Sequence, residues 1–141
     1  MFKNFFKKKE KDKPNDKNIL VACLLVHAAK MDENYTDAEK KIILKALINL
    51  NNLNTDQAEQ LLVDAEKKVN SSNQIVEFTK EIKQQSMDYK LKIIEVIWKI
   101  VYSDGISDSY ESNLIRRICG LLYISDKDSG IIKTKVQNLL K

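Results

Sequence analysis

Apolar residues along this chain recur at helical spacing, and one helical frame is written twice, 72 positions apart. Between residues 18 and 31, Leu20, Val21, Leu24, Leu25, Ala28 and Ala29 fall one, three or four apart and predict a helix with a broad apolar stripe. The frame returns downstream as Ile19/Leu91, Val21/Ile93, Leu24/Val96, Leu25/Ile97, Ala28/Ile100 and Ala29/Val101. It continues through Ile42/Leu114, Ile43/Ile115 and Ala46/Ile118, and two acids travel with it: Asp32 recurs as Asp104, and Glu39 as Glu111. Each copy reads as an apolar helix, a short acidic turn and a second helix. The pattern predicts two pseudo-repeated helical hairpins in one compact domain.

Polar punctuation marks the remaining elements. After the turn Asp32–Tyr35, the run Thr36-Asp37-Ala38-Glu39 has the form of a capping box and opens a helix to about Leu50. Asn49, Asn51, Asn52 and Asn54 break the chain, and Thr55 is the expected N-cap of a third helix with Ala58, Leu61, Leu62, Ala65 and Val69 inward. Beyond Ser71-Ser72-Asn73, a shorter helix carries Ile75, Val76, Phe78 and Ile82. Ser86 caps the next, which runs to Ser103. Its Ile93, Ile94, Ile97, Trp98, Ile100 and Val101 predict burial nearly all round and make it the expected central helix. Asp104-Gly105 suits a left-handed helix end, and Ser107 or Asp108 caps a helix to about Leu121. Ser125 caps the last helix, whose expected face is Ile131, Ile132, Val136, Leu139 and Leu140, with Gly130 a soft spot within it. The sum is an all-α bundle of about seven helices.

Composition agrees. A chain of 141 residues that is 43% hydrophobic has enough apolar surface for one core, and three glycines and one proline are too few for a turn-rich β-sandwich. The net charge of +4 belongs to residues 1–17, where seven lysines face three acids. The remaining chain is balanced, which argues against a nucleic-acid partner, since that needs a basic face on the domain itself. Residues 1–17 therefore read as a basic arm and 18–141 as the helical domain. Phe2, Phe5 and Phe6 among the lysines fit a solvated tail, or a weak contact with anionic membrane through aromatic insertion. Cys23 and Cys119 match no zinc or redox spacing and read as small buried hydrophobes in a reducing cytoplasm. The apolar run Ile19–Ala29 is eleven residues, too short to span a bilayer, and no signal-peptide stretch precedes it. The expected location is cytoplasmic, with the inner face of the membrane as a peripheral site.

Two segments resemble a known family. The first is Ala28-Ala29-Lys30-Met31-Asp32 with Glu39 beyond it. The second, closer, is Trp98-Lys99-Ile100-Val101-Tyr102-Ser103-Asp104-Gly105 followed by Glu111 and Arg116-Arg117-Ile118. Over residues 18–141 the chain resembles a TerB-type domain, the helical module named for tellurite resistance and related to the N-terminal domain of DjlA-type co-chaperones. The first copy departs from the family pattern, with Glu33 where Gly is usual, and a whole co-chaperone activity is not expected, since these 141 residues hold no DnaJ-type segment. The resemblance implies a non-enzymatic interaction module with a protein partner, acting in stress-response or envelope-associated complexes. It also implies that the acidic loops are metal sites.

Asp32, Glu39, Asp104 and Glu111 are accordingly the candidate metal ligands, with Glu33 and Asp108 beside them. Hard divalent cations, calcium first among them, prefer several oxygen ligands, and pseudo-symmetric hairpins can bring two acidic turns face to face. Neither turn is an EF-hand, whose ligands spread over about twelve positions. Helix-end duty is the simpler reading of the individual residues: Glu39 completes a capping box, Asp108 is an N-cap, and Asp37 and Glu111 suit a first helical turn. It explains less well why Asp32 and Asp104 both end the preceding helix. No catalytic or cofactor-binding residues are expected. The single histidine, His27, reads as a helix-flank residue, and glycine-rich phosphate loops and the G-x-S-x-G elbow are absent from the sequence. Trp98, Tyr102, Tyr110 and Tyr123 are expected in or at the edge of the core, and Arg116-Arg117 on a solvated flank.

Overall fold

In the computed structural model, residues 17–30, 35–71, 75–103 and 109–139 are described, with backbone alone for 109–112. Among the described residues there are seven α-helices and no strand. Helix α1 covers 17–29, and residue 30 after it is in 3-10 conformation. It is followed by α2 (Asp37–Asn51), α3 (Thr55–Ser71), α4 (Ile75–Thr79), a 3-10 turn (Ile82–Gln84), α5 (Met87–Val101), α6 (Ser109–Leu122) and α7 (Asp126–Leu139). No described helix is long and apolar enough to cross a membrane.

The helix starts follow local chemistry. At α2, Thr36 is extended and its Oγ1 accepts the Glu39 N–H at 3.1 Å, while Glu39 Oε1 accepts the Thr36 N–H at 2.8 Å. That reciprocal pair is the capping box expected from the sequence. The helix ends at Asn52, which takes the left-handed conformation (φ 52°) that asparagine tolerates better than most residues. Helix α3 starts differently from expectation. Asn54, not Thr55, is the cap: its Oδ1 accepts the Gln57 N–H at 2.8 Å, and Gln57 Oε1 accepts the Asn54 N–H at 3.0 Å. Asparagine caps at least as well as threonine, and Gln57 sits three residues on to reciprocate. Ser86 and Ser125 cap α5 and α7 as expected, accepting from the N–H groups of Tyr89 and Asp128.

Helix α1, rather than α5, is the more completely enclosed. Val21, Ala22, Cys23, Leu24, Leu25 and Val26 are all fully buried, so neighbours cover every side of nearly two turns. Those six side chains carry no charge and most are small, which lets packing close around them. Helix α5 buries Ile93, Ile94, Ile97, Trp98 and Ile100, but Lys92, Glu95 and Lys99 recur along one stripe and keep that side at the solvent boundary. Burial matches across the two copies of the sequence frame: Val21 and Ile93, Leu25 and Ile97, Ile43 and Ile115, and Leu47 and Cys119 are each at most 1% exposed.

Helix α7 packs against α5 through a narrow stripe, Ser129, Ile132 and Val136. Ile131 and Leu139, expected on that face, are instead 59% and 61% exposed, while Leu140 lies outside the described residues. Helix α7 meets chiefly α5, with a smaller contact to α6, so it buries only the positions three and four apart along the main contact line, and residues 131 and 139 fall beside it. Val76 likewise turns outward from α4.

Two charged side chains among the described residues are buried, Glu39 and Lys90. Lys90, 6% exposed, donates from Nζ to the Leu122 carbonyl at 2.9 Å and to the Lys83 carbonyl at 3.4 Å. Leu122 is the last residue of α6, so the ammonium satisfies an otherwise orphaned helix-end carbonyl and meets the negative end of the helix dipole.

Candidate functional site

The acidic turns lie around the junction of α1 with α2 and that of α5 with α6. Asp32, Glu33, Asp104 and Asp108 fall outside the described residues; Glu111 belongs to the first turn of α6, with only its backbone described. Glu39 is the candidate ligand whose side chain is placed. It is 3% exposed, and its Oε1 accepts both the Thr36 N–H and the Thr36 hydroxyl, the latter at 3.1 Å. That carboxylate oxygen therefore serves as a helix cap. A cation drawing on Glu39 would share a group already committed to two donors. Among the described residues, no group of three or more His, Cys, Asp and Glu is disposed to hold a metal ion.

What surrounds Glu39 is a set of interactions that the sequence did not disclose. Tyr35 lies beneath two lysines, Lys40 at 5.0 Å and Lys30 at 5.7 Å from its ring centre. Lys40 pairs with Glu66 of α3 at 3.6 Å, and Lys30 donates to Asn70 Oδ1 at 2.7 Å. Burial pushes the Tyr35 phenol well above its usual range, and the Glu66 and then Glu39 carboxylates push the same way. The hydroxyl stays neutral; Glu66 is near it without forming a well-shaped hydrogen bond. Two lysines and two carboxylates thus balance locally, and together they tie α1, α2 and α3 at one corner.

The other groups capable of chemistry are turned into packing. His27 stands edge-on to Phe78 with ring centres 6.2 Å apart; burial, then the nearby Arg117 cation, holds its pKa below the ordinary value. Burial pushes the Cys23 thiol up to about 11, against an opposing pull from Lys68, and raises Cys119 as well, against a hydrogen bond with Ser129. Trp98 is buried, donates from Nε1 to Ser129 Oγ at 3.3 Å and stacks on Tyr102 at 5.7 Å. Both aromatic residues lie where the sequence reading put them. Tyr123 does not: it is 69% exposed and left-handed (φ 61°), because it occupies the residue after α6 where the Ile124 N–H turns back to the Cys119 carbonyl at 2.8 Å. The Tyr110 side chain is outside the described set.

A groove of about 390 Å³ separates α2 from α5. Ile42, Ala46 and Leu50 of α2 and Val96 of α5 form its apolar floor, and Lys45, Lys92 and Lys99 stand along it with Glu95. Glu95 is held by Lys135 of α7 at 2.6 Å and Lys99 at 3.3 Å, and the Lys135 hydrogen bond is the main cause keeping its carboxyl below the usual range. The sequence signal for this surface was the charged stripe Lys92, Glu95, Lys99 interrupting an apolar helix. Its partner wall on α2 carried no comparable mark.

A family model described as tellurite resistance protein TerB matches residues 18–134. No curated protein and no solved structure matches the chain.

Proposed function

The chain belongs to the TerB family, and from that premise we propose that it is a non-enzymatic helical interaction module, cation-linked, that holds a protein partner in stress-response or envelope-associated complexes. One observation carries the reading. The described side chains best suited to nucleophilic or base chemistry serve the fold: Cys23 and Cys119 are buried thiols with raised pKa, His27 packs on Phe78, and Glu39 closes a capping box. What faces outward instead is surface for recognition, including the groove between α2 and α5.

The cation component rests on the duplicated acids Asp32/Asp104 and Glu39/Glu111 and on the family's acidic loops. It is tested by titrating calcium into the metal-stripped protein while following thermal melting and the emission of Trp98, six residues upstream of Asp104. Saturable binding lost in an Asp32→Asn/Asp104→Asn variant supports it; an unchanged melting temperature across calcium, magnesium and zinc removes it. The module reading itself is tested by photo-crosslinking from surface positions in the source cell. It fails if no position yields a discrete protein adduct above the non-irradiated control. The Phe/Lys arm of residues 1–17 favours a second reading, a membrane-surface adaptor. That reading ends if the full chain and a chain beginning at Asn18 pellet equally with anionic vesicles.

A further inference from the structure

We propose that the groove between α2 and α5 is the docking site for an acidic amphipathic helix of a partner protein. The proposal rests on the interaction-module reading and adds to it a surface and a partner chemistry.

The groove has the dimensions of a short helical contact. Ile42, Ala46 and Leu50 recur every fourth residue, so at 1.5 Å per residue the apolar floor runs about 12 Å, a little over two turns. Lys92 and Lys99, seven residues apart on α5, stand about 10 Å apart along the same direction. A helix laid in the groove would seat aliphatic side chains three or four apart on the floor and present carboxylates two turns apart to the lysines. The enclosed space is at the lower end of the range for specific ligand sites, which suits a few anchoring side chains rather than a whole cofactor.

Charge selects the partner's sign. The domain beyond the arm is electrically balanced, yet three lysines meet one glutamate here. That glutamate is already paired with Lys99 and, from outside the groove, with Lys135. Lys45 and Lys92 take part in no ion pair or hydrogen bond among the described residues. The excess positive charge therefore flanks apolar surface that water would otherwise cover. The chain's own N-terminal arm is basic and would be repelled. Nucleic acid would use the lysines but leave the apolar floor unfilled, and a flat lipid surface does not enter a concave groove.

The test is a charge swap. A fluorescein-labelled 18-residue helical peptide, with leucines three and four apart and flanking glutamates, is titrated with the full chain and followed by anisotropy. A counterpart with lysine for glutamate is run in parallel. Saturable binding of the acidic peptide is expected, weakened at least tenfold in Lys45→Glu/Lys92→Glu, with the basic peptide binding that variant better than the parent. Both lysines are exposed, so the variant folds, and circular dichroism confirms it. Amide shift perturbations should fall on α2 and α5. Equal binding by parent and variant overturns the proposal, as does failure to saturate below about 1 mM. Perturbations centred instead on the exposed Val76 and Tyr123 also overturn the groove while leaving the module reading standing. Crosslinking from the source cell decides that broader reading separately.

Discussion

Replacing Lys90 by methionine removes a buried ammonium but keeps most of the side-chain volume, so its effect isolates the polar contribution. The loss is the 2.9 Å hydrogen bond to the Leu122 carbonyl and the weaker 3.4 Å one to the Lys83 carbonyl. A hydrogen bond to a charged donor is worth about 1.5–3 kcal/mol, and the abandoned carbonyl keeps its desolvation cost. Against that, methionine avoids burying a charge, which offsets part of the loss. The expected net destabilisation is roughly 1–3 kcal/mol. With an unfolding entropy near 2.1 cal/mol/K per residue over a domain of about 120 residues, each kcal/mol lowers Tm by about 4 °C. Lys90→Met should therefore melt about 4–12 °C below the parent by calorimetry. Lys92→Met is the control: it lies two residues away on the same helix, exposed and without an ion pair among the described residues, and should stay within about 0.5 kcal/mol. If the two variants melt together, Lys90 does not cap α6, and the account of how α5 is anchored to that helix end is wrong.

Other outcomes follow from the same contacts. Glu39→Gln retains the acceptor of the capping box and should stay within about 0.5 kcal/mol of the parent in urea unfolding, whereas Glu39→Ala should lose about 1 kcal/mol. A Gln variant as unstable as the Ala variant would show that the negative charge, not the cap, is what matters. Because the folded state lowers the His27 pKa, the unfolded chain takes up its proton first. Stability from this group is complete above the ordinary value of 6.5 and declines as pH falls from there toward the folded value. His27→Gln should flatten that part of the Tm-versus-pH curve, and parallel curves for parent and variant would contradict it. The buried Cys23 and Cys119 should resist a neutral-pH thiol reagent in native buffer and react stoichiometrically in denaturant; rapid native labelling would refute their placement. An added Cβ at Gly130 meets nothing within 4 Å, so Gly130→Ala should raise stability by about 0.5–1 kcal/mol; a lower Tm would show that the glycine is required.

Much of this molecule could be read from short stretches of chain. The seven helices, the caps at Thr36, Ser86 and Ser125 and the left-handed end at Asn52 all depend on groups no more than a few residues apart. Backbone hydrogen bonding and capping act over that range, so residue order suffices to specify them. Where the reading erred locally, at Asn54 against Thr55, two adjacent residues were both competent caps and Gln57 decided between them. The acidic frame was equally plain as a pattern, with Glu39 now accounted for as a cap.

Tertiary structure decided what each face meets. Periodicity marked both α1 and α5 as apolar and made α5 the expected central helix; packing enclosed α1 more completely and left the stripe of Lys92, Glu95 and Lys99 at the surface. It buried Lys90 against a carbonyl 32 residues away and turned Tyr123, Ile131 and Leu139 outward. It also created the groove by setting Ile42, Ala46 and Leu50 opposite Val96. Helix formation is governed by neighbours along the chain, whereas burial, pairing and concavity depend on the angle and distance at which distant helices cross. Those quantities come from the simultaneous packing of the whole core, and no single segment encodes them.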